Sequence, residues 1–263
     1  MESRLEKKDI KRSFAAAAGR YDSLAALQRQ AGMALLEKFP LQPDPGLILD
    51  LGCGTGFLTR QMAVDPGLQS ILALDIALPM LLACREKNCL SPIRYICADA
   101  EKIPLADACV RQIYANLALQ WCQDLAAVFT DCRRILKKGG QLAFTTFGPA
   151  TLRELKAAWG MVDDYTHVNR FYDERAIYRR LKQAGFVAIR CESQVIQNEY
   201  SSVLSLMREL KGLGAHNVAT GRNRAPTTRR KLQRMIDCYE NNMLQGRIEA
   251  TYEIIFVRAV AEQ

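Results

Sequence analysis

Glycines at positions 52, 54 and 56, within Leu49-Asp50-Leu51-Gly52-Cys53-Gly54-Thr55-Gly56, carry the clearest chemistry in this 263-residue chain. They remove the Cβ atoms that would hold a backbone off a ligand, and the helix-forming run Phe57 to Ala63 behind them points free N–H groups at whatever binds. The apolar run Leu47 to Leu51 ahead of the loop reads as a buried strand, so the loop is a strand-to-helix turn suited to a nucleotide-like ligand with an anionic end. Spacing narrows the choice. Gly56 comes four residues after Gly52, not the five of a dinucleotide fingerprint, and no Lys-Ser/Thr pair follows as in a phosphate loop. Two acids complete the pattern. The run Ile71 to Leu74 ends in Asp75, placed to accept hydrogen bonds from ribose hydroxyls, and Ile93 to Ala98 ends in Asp99, which with the backbone of Ala100 can meet an adenine amine. Ile76 is placed to pack on an adenine face; Met80 is explained equally by core packing, and Cys53 reads as a small turn residue, not a nucleophile.

The elements around these residues set where they meet. From Leu47 to Phe147 strands and helices alternate, the signature of an α/β doubly wound parallel sheet whose ligands sit at the carboxyl ends of the strands. A fourth strand, Val110 to Tyr114, delivers Asn116-Leu117-Ala118-Leu119-Gln120-Trp121 to that edge, and polar Asn116 and Gln120 among apolar neighbours read as site residues. Lys137-Lys138-Gly139-Gly140 reads as a helix end, with a fifth strand from Gln141 to Phe147. Ahead of the sheet, Ile10, Phe14, Ala17, Ala18 and Tyr21 form a helical stripe, which either brings Tyr21 over the cleft or ends in packing. Ser23 is expected to cap a second helix running to Phe39.

Past Phe147 the pattern changes. Leu152, Leu155 and Trp159 mark a helix, Asn169-Arg170-Phe171 a loop, Ile177 to Ala184 a helix, Phe186 to Cys191 a sixth strand and Thr251 to Val257 the last. About fifty residues between those strands, too many for a hairpin loop, hold helical segments around Val203 to Leu210 and Arg229 to Tyr239 and read as a substrate lid. The expected organisation is one domain over 1–263: a helical cover at 1–45, a cofactor-binding core at 46–148, helices and a sixth strand at 149–192, the lid at 193–249 and a final strand at 250–263. In the lid, Leu232, Met235, Ile236 and Tyr239 face inward, leaving Arg229, Arg230, Lys231 and Arg234 as either a solvated face or a docking patch for an acidic partner.

Composition sets outer bounds. A net charge of +8 suggests an acidic partner, nucleic acid or protein, yet no zinc-finger spacing or RNA-binding aromatic signature accompanies the basic run. Nine cysteines without a C-x-x-C pair argue for free thiols rather than disulfides or metal ligation. No apolar run reaches membrane-spanning length and the first residues are charged, so the expectation is a cytoplasmic protein with no membrane association.

The G-x-G-x-G loop with Asp75 and Asp99 resembles the class I S-adenosylmethionine-dependent methyltransferases. A narrower resemblance follows from Phe14 to Asp22 with Leu27-Gln28, Asn116 to Trp121, Phe144-Thr145-Thr146-Phe147-Gly148-Pro149 with Thr151-Leu152 and Glu154-Leu155, Leu213-Gly214-Ala215-His216-Asn217 with Gly221-Arg222, and Ala250-Thr251-Tyr252-Glu253. Together these are similar to the malonyl-acyl-carrier-protein O-methyltransferases of biotin synthesis. The resemblance implies a class I methyltransferase fold: a mostly parallel seven-stranded sheet with the last strand antiparallel, N-terminal helices and a helical lid inserted before that strand. It implies S-adenosyl-L-methionine as methyl donor, leaving S-adenosyl-L-homocysteine, with Asp50, Gly52, Cys53, Gly54 and Gly56 and then Asp75, Ile76, Met80, Asp99, Ala100 and Asn116 around it.

The acceptor so implied is the free carboxylate of a malonyl thioester, carried by acyl carrier protein or coenzyme A, whose ester primes pimeloyl synthesis. A carboxylate is already ionised at neutral pH, so no general base is required, and alignment supplies the rate. The resemblance places Tyr21, Gln120 and Asn116 as catalytic candidates and Trp121, Asn169, Arg170, His216 and Arg222 around the substrate; a structural role in the lid explains His216 equally well. It makes Arg229, Arg230, Lys231 and Arg234 a carrier-protein dock on a monomeric enzyme that uses no metal and no nucleic acid. Three readings compete: a methyltransferase for another small acid or a quinone precursor, an RNA methyltransferase, and an assembly protein that keeps the cofactor fold without turnover.

Overall fold

The computed structural model describes residues 6–43, 46–64, 70–88, 92–215, 227–241 and 247–262. Helices α1 (Lys7–Ala17), α2 (Tyr21–Leu24) and α3 (Ala26–Lys38) precede strand β1 (Ile48–Leu51), helix α4 (Phe57–Ala63), strand β2 (Ile71–Asp75), helix α5 (Leu78–Lys87) and strand β3 (Ile93–Cys97). Strand β4 (Val110–Asn116) and a short 3-10 turn (Leu119–Trp121) lead into α6 (Leu125–Ile135), β5 (Leu136–Phe147), α7 (Arg153–Gly160) and α8 (Glu174–Gln183). The chain ends with β6 (Phe186–Tyr200), α9 (Val203–Gly212), α10 (Arg229–Asn241) and β7 (Ile248–Ala261).

The strands form one seven-stranded sheet in the order β3-β2-β1-β4-β5-β7-β6. Pairs among β1 to β5 are parallel, and β7 runs antiparallel to both β5 and β6. All four residues of β1 are buried, as expected of a strand covered on both faces. Alternate side chains serve the two layers. Ile48 joins Leu35, Tyr114 and Phe256 on the face covered by α3, α7 and α10, while Leu49 and Leu51 join Phe129 and Phe144 beneath α6 and α8. Asp124 and Asp173 cap α6 and α8 by accepting from backbone N–H groups, and Ser202 with Ser205 makes a reciprocal cap on α9.

Four expectations change. Ser23 lies within α2, donates to the Arg20 carbonyl and caps nothing; Ala25 takes that place. The stripe from Ile10 to Tyr21 is shared by α1 and α2, with Gly19 and Arg20 in the turn between them. Helix α6 stops at Ile135, and Lys137 to Gly140 lies in β5, where the register with β4 shifts between Val110 and Gln112; the glycines shape a strand irregularity instead of a helix cap. Strand β6 runs on to Tyr200, so residues 193–200, expected to open the lid, belong to the sheet. Among the described residues no helix is long and apolar enough to cross a membrane.

Candidate active site

The glycine loop leaves β1 at the carboxyl edge of the sheet and is tied down from the neighbouring strand. Gly52 and Cys53 donate to the Leu74 carbonyl at 2.8 and 3.0 Å. Gly54 donates to Asp75 Oδ2 at 2.9 Å, and Ala77 donates to Asp75 Oδ1 at 2.8 Å. The Ile76 N–H bonds the same carboxylate, so Asp75 accepts three backbone donors and keeps acceptor capacity for a ribose hydroxyl. Two glycines have opposite reasons to be there. A Cβ on Gly54 (φ +54°) meets nothing within 4 Å, so this backbone is bare toward the cleft; a Cβ on Gly56 (φ +82°) falls 2.4 Å from Cys84 Sγ, so α5 packs directly on the loop.

Two lobes open on either side of this loop. The first, of about 770 Å³ with its open mouth included, is lined by Ile10, Phe14, Asp75, Ile76, Met80, Ala98, Asp99, Ala100, Leu119 and Trp121. The second, of about 560 Å³, is lined by Asp22, Gln28, Arg29, Asp50, Cys53, Thr55 and Arg60. Tyr21, Gly52, Gly54 and Asn116 line both. The first lobe is largely apolar, with Asp75 among its lining residues. The second brings Arg29 and Arg60 together with the carboxyl groups of Asp22 and Asp50, counter-charges for a short zwitterionic tail. A nucleoside bearing an amino-acid tail fits this pair of lobes, and residues of both lie within reach of the bare Gly54.

Protonation follows burial. Removal from water pushes the Asp50 carboxyl up to about 7, although Thr59 Oγ1 donates to it. Burial likewise raises Asp75, and it raises the Tyr21 phenol far above neutrality with help from the charges of Asp75 and Asp22. Asp22 goes the other way: burial works against its charge, but bonds from Lys87 and Thr55 outweigh it. The hydrogen bond to Cys84, then burial, raises the Cys53 thiol, as suits a turn residue that is no nucleophile.

Several expected site residues turn out to be occupied. Asp99 Oδ2 accepts from Lys7 Nζ at 2.6 Å, and the same ammonium reaches Glu101 at 2.8 Å, so α1 is pinned over the mouth of the first lobe. Asn116 donates to the Gln28 carbonyl at 2.8 Å and accepts from Thr145 at 2.7 Å; these bonds join α3 to the sheet and use one of its two amide N–H groups. Gln120 lines none of the described clefts. Its amide donates to the Leu117 carbonyl at 2.7 Å, because the 3-10 turn folds the side chain back onto its own backbone, and the catalytic role expected for it is withdrawn. That turn follows Leu117 at φ +47°, held there by bonds from its N–H to the Thr145 carbonyl and hydroxyl.

The substrate side is a third space. An inner cavity of about 520 Å³ is lined by Gln28, Trp121, Phe147, Thr151, Asn169, Glu209 and Tyr252. It shares Gln28 with the second lobe and Trp121 with the first; Trp121 stands edge-on to Phe14, ring centroids 5.3 Å apart. Outward it shares Val168 and Phe171 with a surface groove of about 980 Å³ lined by Lys156, Trp159, Asp163, Tyr165, His167 and Arg170. Arg170 is exposed in that groove and not in the cavity, so the substrate-carboxylate role expected for it does not fit. His167 stacks on Trp159 at 3.8 Å and bonds Asp163. His216 and Arg222 lie outside the described residues.

On α10, Met235 and Tyr239 are buried as the stripe predicts, and Arg229, Arg230 and Arg234 are exposed. Lys231 differs. It pairs with Asp163 at 3.1 Å and lies near the Tyr165 ring, which sets the basic face beside the outer groove. Sequence reading missed Lys7, Gln28, Arg29, Glu101 and Thr145. The local signals were Leu27-Gln28 and Phe144-Thr145-Thr146, which carry the resemblance and name no chemistry.

Comparison with known proteins agrees with this architecture. A family profile described as a methyltransferase domain matches residues 49–144. A malonyl-[acyl-carrier protein] O-methyltransferase from Methylococcus capsulatus is 41% identical over 95% of this chain and 92% of its own. A biotin biosynthesis bifunctional protein from Cellvibrio japonicus is 38% identical over 96% of this chain and 50% of its own. The crystal structure of the YcgJ protein from Bacillus subtilis, 13% identical, superposes with a TM-score of 0.65 over 89% of this chain and 99% of its own, which shows the shared fold. With its glycine loop, two-lobed cleft and end-to-end similarity, the chain belongs to the malonyl-[acyl-carrier protein] O-methyltransferase family.

Proposed function

We propose that this protein transfers the methyl group of S-adenosylmethionine to the free carboxylate of a malonyl thioester on acyl carrier protein, forming the methyl ester that primes pimeloyl synthesis for biotin. One observation carries the reading. Where the two lobes and the inner cavity adjoin, the side chains are the phenol of Tyr21 and the amides of Gln28 and Asn116, none of which takes up or releases a proton near neutrality. A phenol or carbon acceptor calls for a base at that place; a carboxylate does not. When bound, the cofactor supplies an electrophilic methyl group on a sulfonium sulfur.

The chain's residues do the rest. Asp75 takes the ribose hydroxyls, Ile76 and Met80 flank the base, and Arg29, Arg60 and Asp50 balance the charges of the amino-acid tail. Tyr21 remains a neutral donor. No described residue is within hydrogen-bonding distance of its hydroxyl, so it is free to steer an acceptor oxygen toward the methyl group, where orientation in a water-poor cleft lowers the barrier. Trp121 and Phe14 close the seam between cavity and first lobe.

The exposed guanidinium groups of Arg229, Arg230 and Arg234 have no ion-pair partner among the described residues and stand beside the groove that leads inward past Val168 and Phe171. An acidic carrier protein seated on that face can pass its thioester arm along the groove to the cavity. The eight described cysteines are free thiols, which suits a reducing, cytoplasmic compartment.

The test uses methyl-labelled S-adenosylmethionine with malonyl-acyl carrier protein. The expected product carries label that mild alkali releases as volatile methanol, the behaviour of an ester. Alkali-stable label, as on a phenol, nitrogen or carbon, contradicts the proposal.

A further inference from the structure

We infer that the side-chain amides of Gln28 and Asn169 hold the malonyl head, Gln28 at the carboxylate and Asn169 at the thioester carbonyl. The inference rests on the acceptor proposed above and specifies how the protein grips it. Gln28 Oε1 and Asn169 Oδ1 are both buried with no hydrogen-bond partner among the described residues, and Asn169 is only 6% exposed. Buried amides normally find partners, so two unpartnered amides lining one cavity point to a polar ligand between them. Neither amide group takes part in a hydrogen bond with a described residue, so a half-turn of each terminal torsion presents N–H donors to the cavity and breaks nothing.

The surroundings fix which end is which. Gln28 lines both the second cofactor lobe and the inner cavity, whereas Asn169 lines the cavity alone, so Gln28 stands nearer the methyl group. Glu209 also lines the cavity, where Tyr200 donates to it at 2.8 Å, and its carboxylate repels an anionic head. Thr151 and Tyr252, the other hydroxyls of the cavity, already bond Glu253 and Tyr200. An amide suits the task. Its neutral N–H orients a carboxylate with a weaker bond than a guanidinium makes, and so leaves more of the charge on the attacking oxygen.

The experiment compares wild type, Gln28→Leu, Gln28→Glu and Asn169→Leu in steady-state turnover of malonyl-acyl carrier protein, with S-adenosylhomocysteine affinity measured separately by calorimetry. Gln28→Leu is expected to lower kcat/KM at least tenfold while homocysteine-product affinity stays within twofold, and Gln28→Glu to lose more because two carboxylates repel. Asn169→Leu is expected to raise KM with kcat within threefold. Should Gln28→Leu not fold, Gln28→Met keeps the side-chain length and is read in the same way. Turnover by the Gln28 variants within twofold of wild type, or a loss that tracks cofactor affinity, overturns the inference and leaves the methyl-transfer reading standing. Absence of wild-type turnover with S-adenosylhomocysteine bound removes both.

Discussion

The same substitution at two glycines of one loop should do opposite things. Gly54 has φ +54° and open space where a Cβ would sit, so Gly54→Ala costs folding only the strain of a left-handed alanine, about 1–2 kcal/mol. For a domain of this size that is a fall in Tm of about 2–8 °C. The new methyl projects into the space between the lobes, and S-adenosylhomocysteine affinity should fall at least tenfold, about 1.4 kcal/mol or more. Gly56 has φ +82°, and its Cβ would lie 2.4 Å from Cys84 Sγ and 2.8 Å from Asn88 Nδ2. Neither neighbour can yield: Cys84 is 0% and Asn88 4% exposed, and Asn88 is bonded to the Cys84 carbonyl at 2.7 Å. Overpacking adds about 1–3 kcal/mol to the backbone strain, so Gly56→Ala should lose roughly 2–5 kcal/mol and melt about 4–20 °C lower. Thermal melting followed by calorimetric titration with S-adenosylhomocysteine reads both effects. Undiminished affinity in Gly54→Ala refutes the bare-backbone cradle, and a wild-type Tm in Gly56→Ala refutes the packing argument.

Four further outcomes follow from the same geometry. Because burial raises Asp50 to about 7 from an unfolded value near 3.8, its contribution to stability is fully present below pH about 4 and is lost as pH rises through about 7; urea unfolding of the unliganded protein across that window should show the slope, and Asp50→Asn should flatten it. The same ionisation supplies charge facing a cationic ligand, so S-adenosylmethionine affinity should rise through pH 7 in wild type and not in Asp50→Asn, as titration at several pH values will show. Thr145→Val leaves Asn116 Oδ1 without its donor while the Leu117 N–H keeps the Thr145 carbonyl, an expected loss of about 1–3 kcal/mol measurable by denaturant unfolding. The double substitution Arg230→Glu with Arg234→Glu should raise KM for malonyl-acyl carrier protein at low salt and leave malonyl-coenzyme A turnover within twofold; equal effects on both handles contradict the docking face.

Legibility in the sequence tracked how local each cause was. The glycine loop, Asp75 and the strands feeding them were readable because apolar period, turn chemistry and strand ends all act within a few residues. The inward face of α10 at Met235 and Tyr239 was readable for the same reason. Strand β6 was cut short because it is the sheet edge: past Cys191 most of its side chains are exposed, so Glu192-Ser193-Gln194 carries no core pattern although the backbone pairs with β7 as far as Tyr200. The site showed the same limit. Polarity alone could not tell the internally bonded Gln120 from Gln28, whose amide is unpartnered, and the grip of Lys7 on Asp99 spans 92 residues. Such pairings are set by tertiary packing.

The central claim is that the acceptor is the free carboxylate of a malonyl thioester. Intact mass spectrometry of malonyl-acyl carrier protein incubated with this protein and S-adenosylmethionine, beside acetyl-acyl carrier protein under the same conditions, tests it most directly. The account predicts that the malonyl form alone gains the mass of one methylene unit. An unchanged malonyl form with the cofactor shown to bind, or an equal gain on the acetyl form, contradicts it.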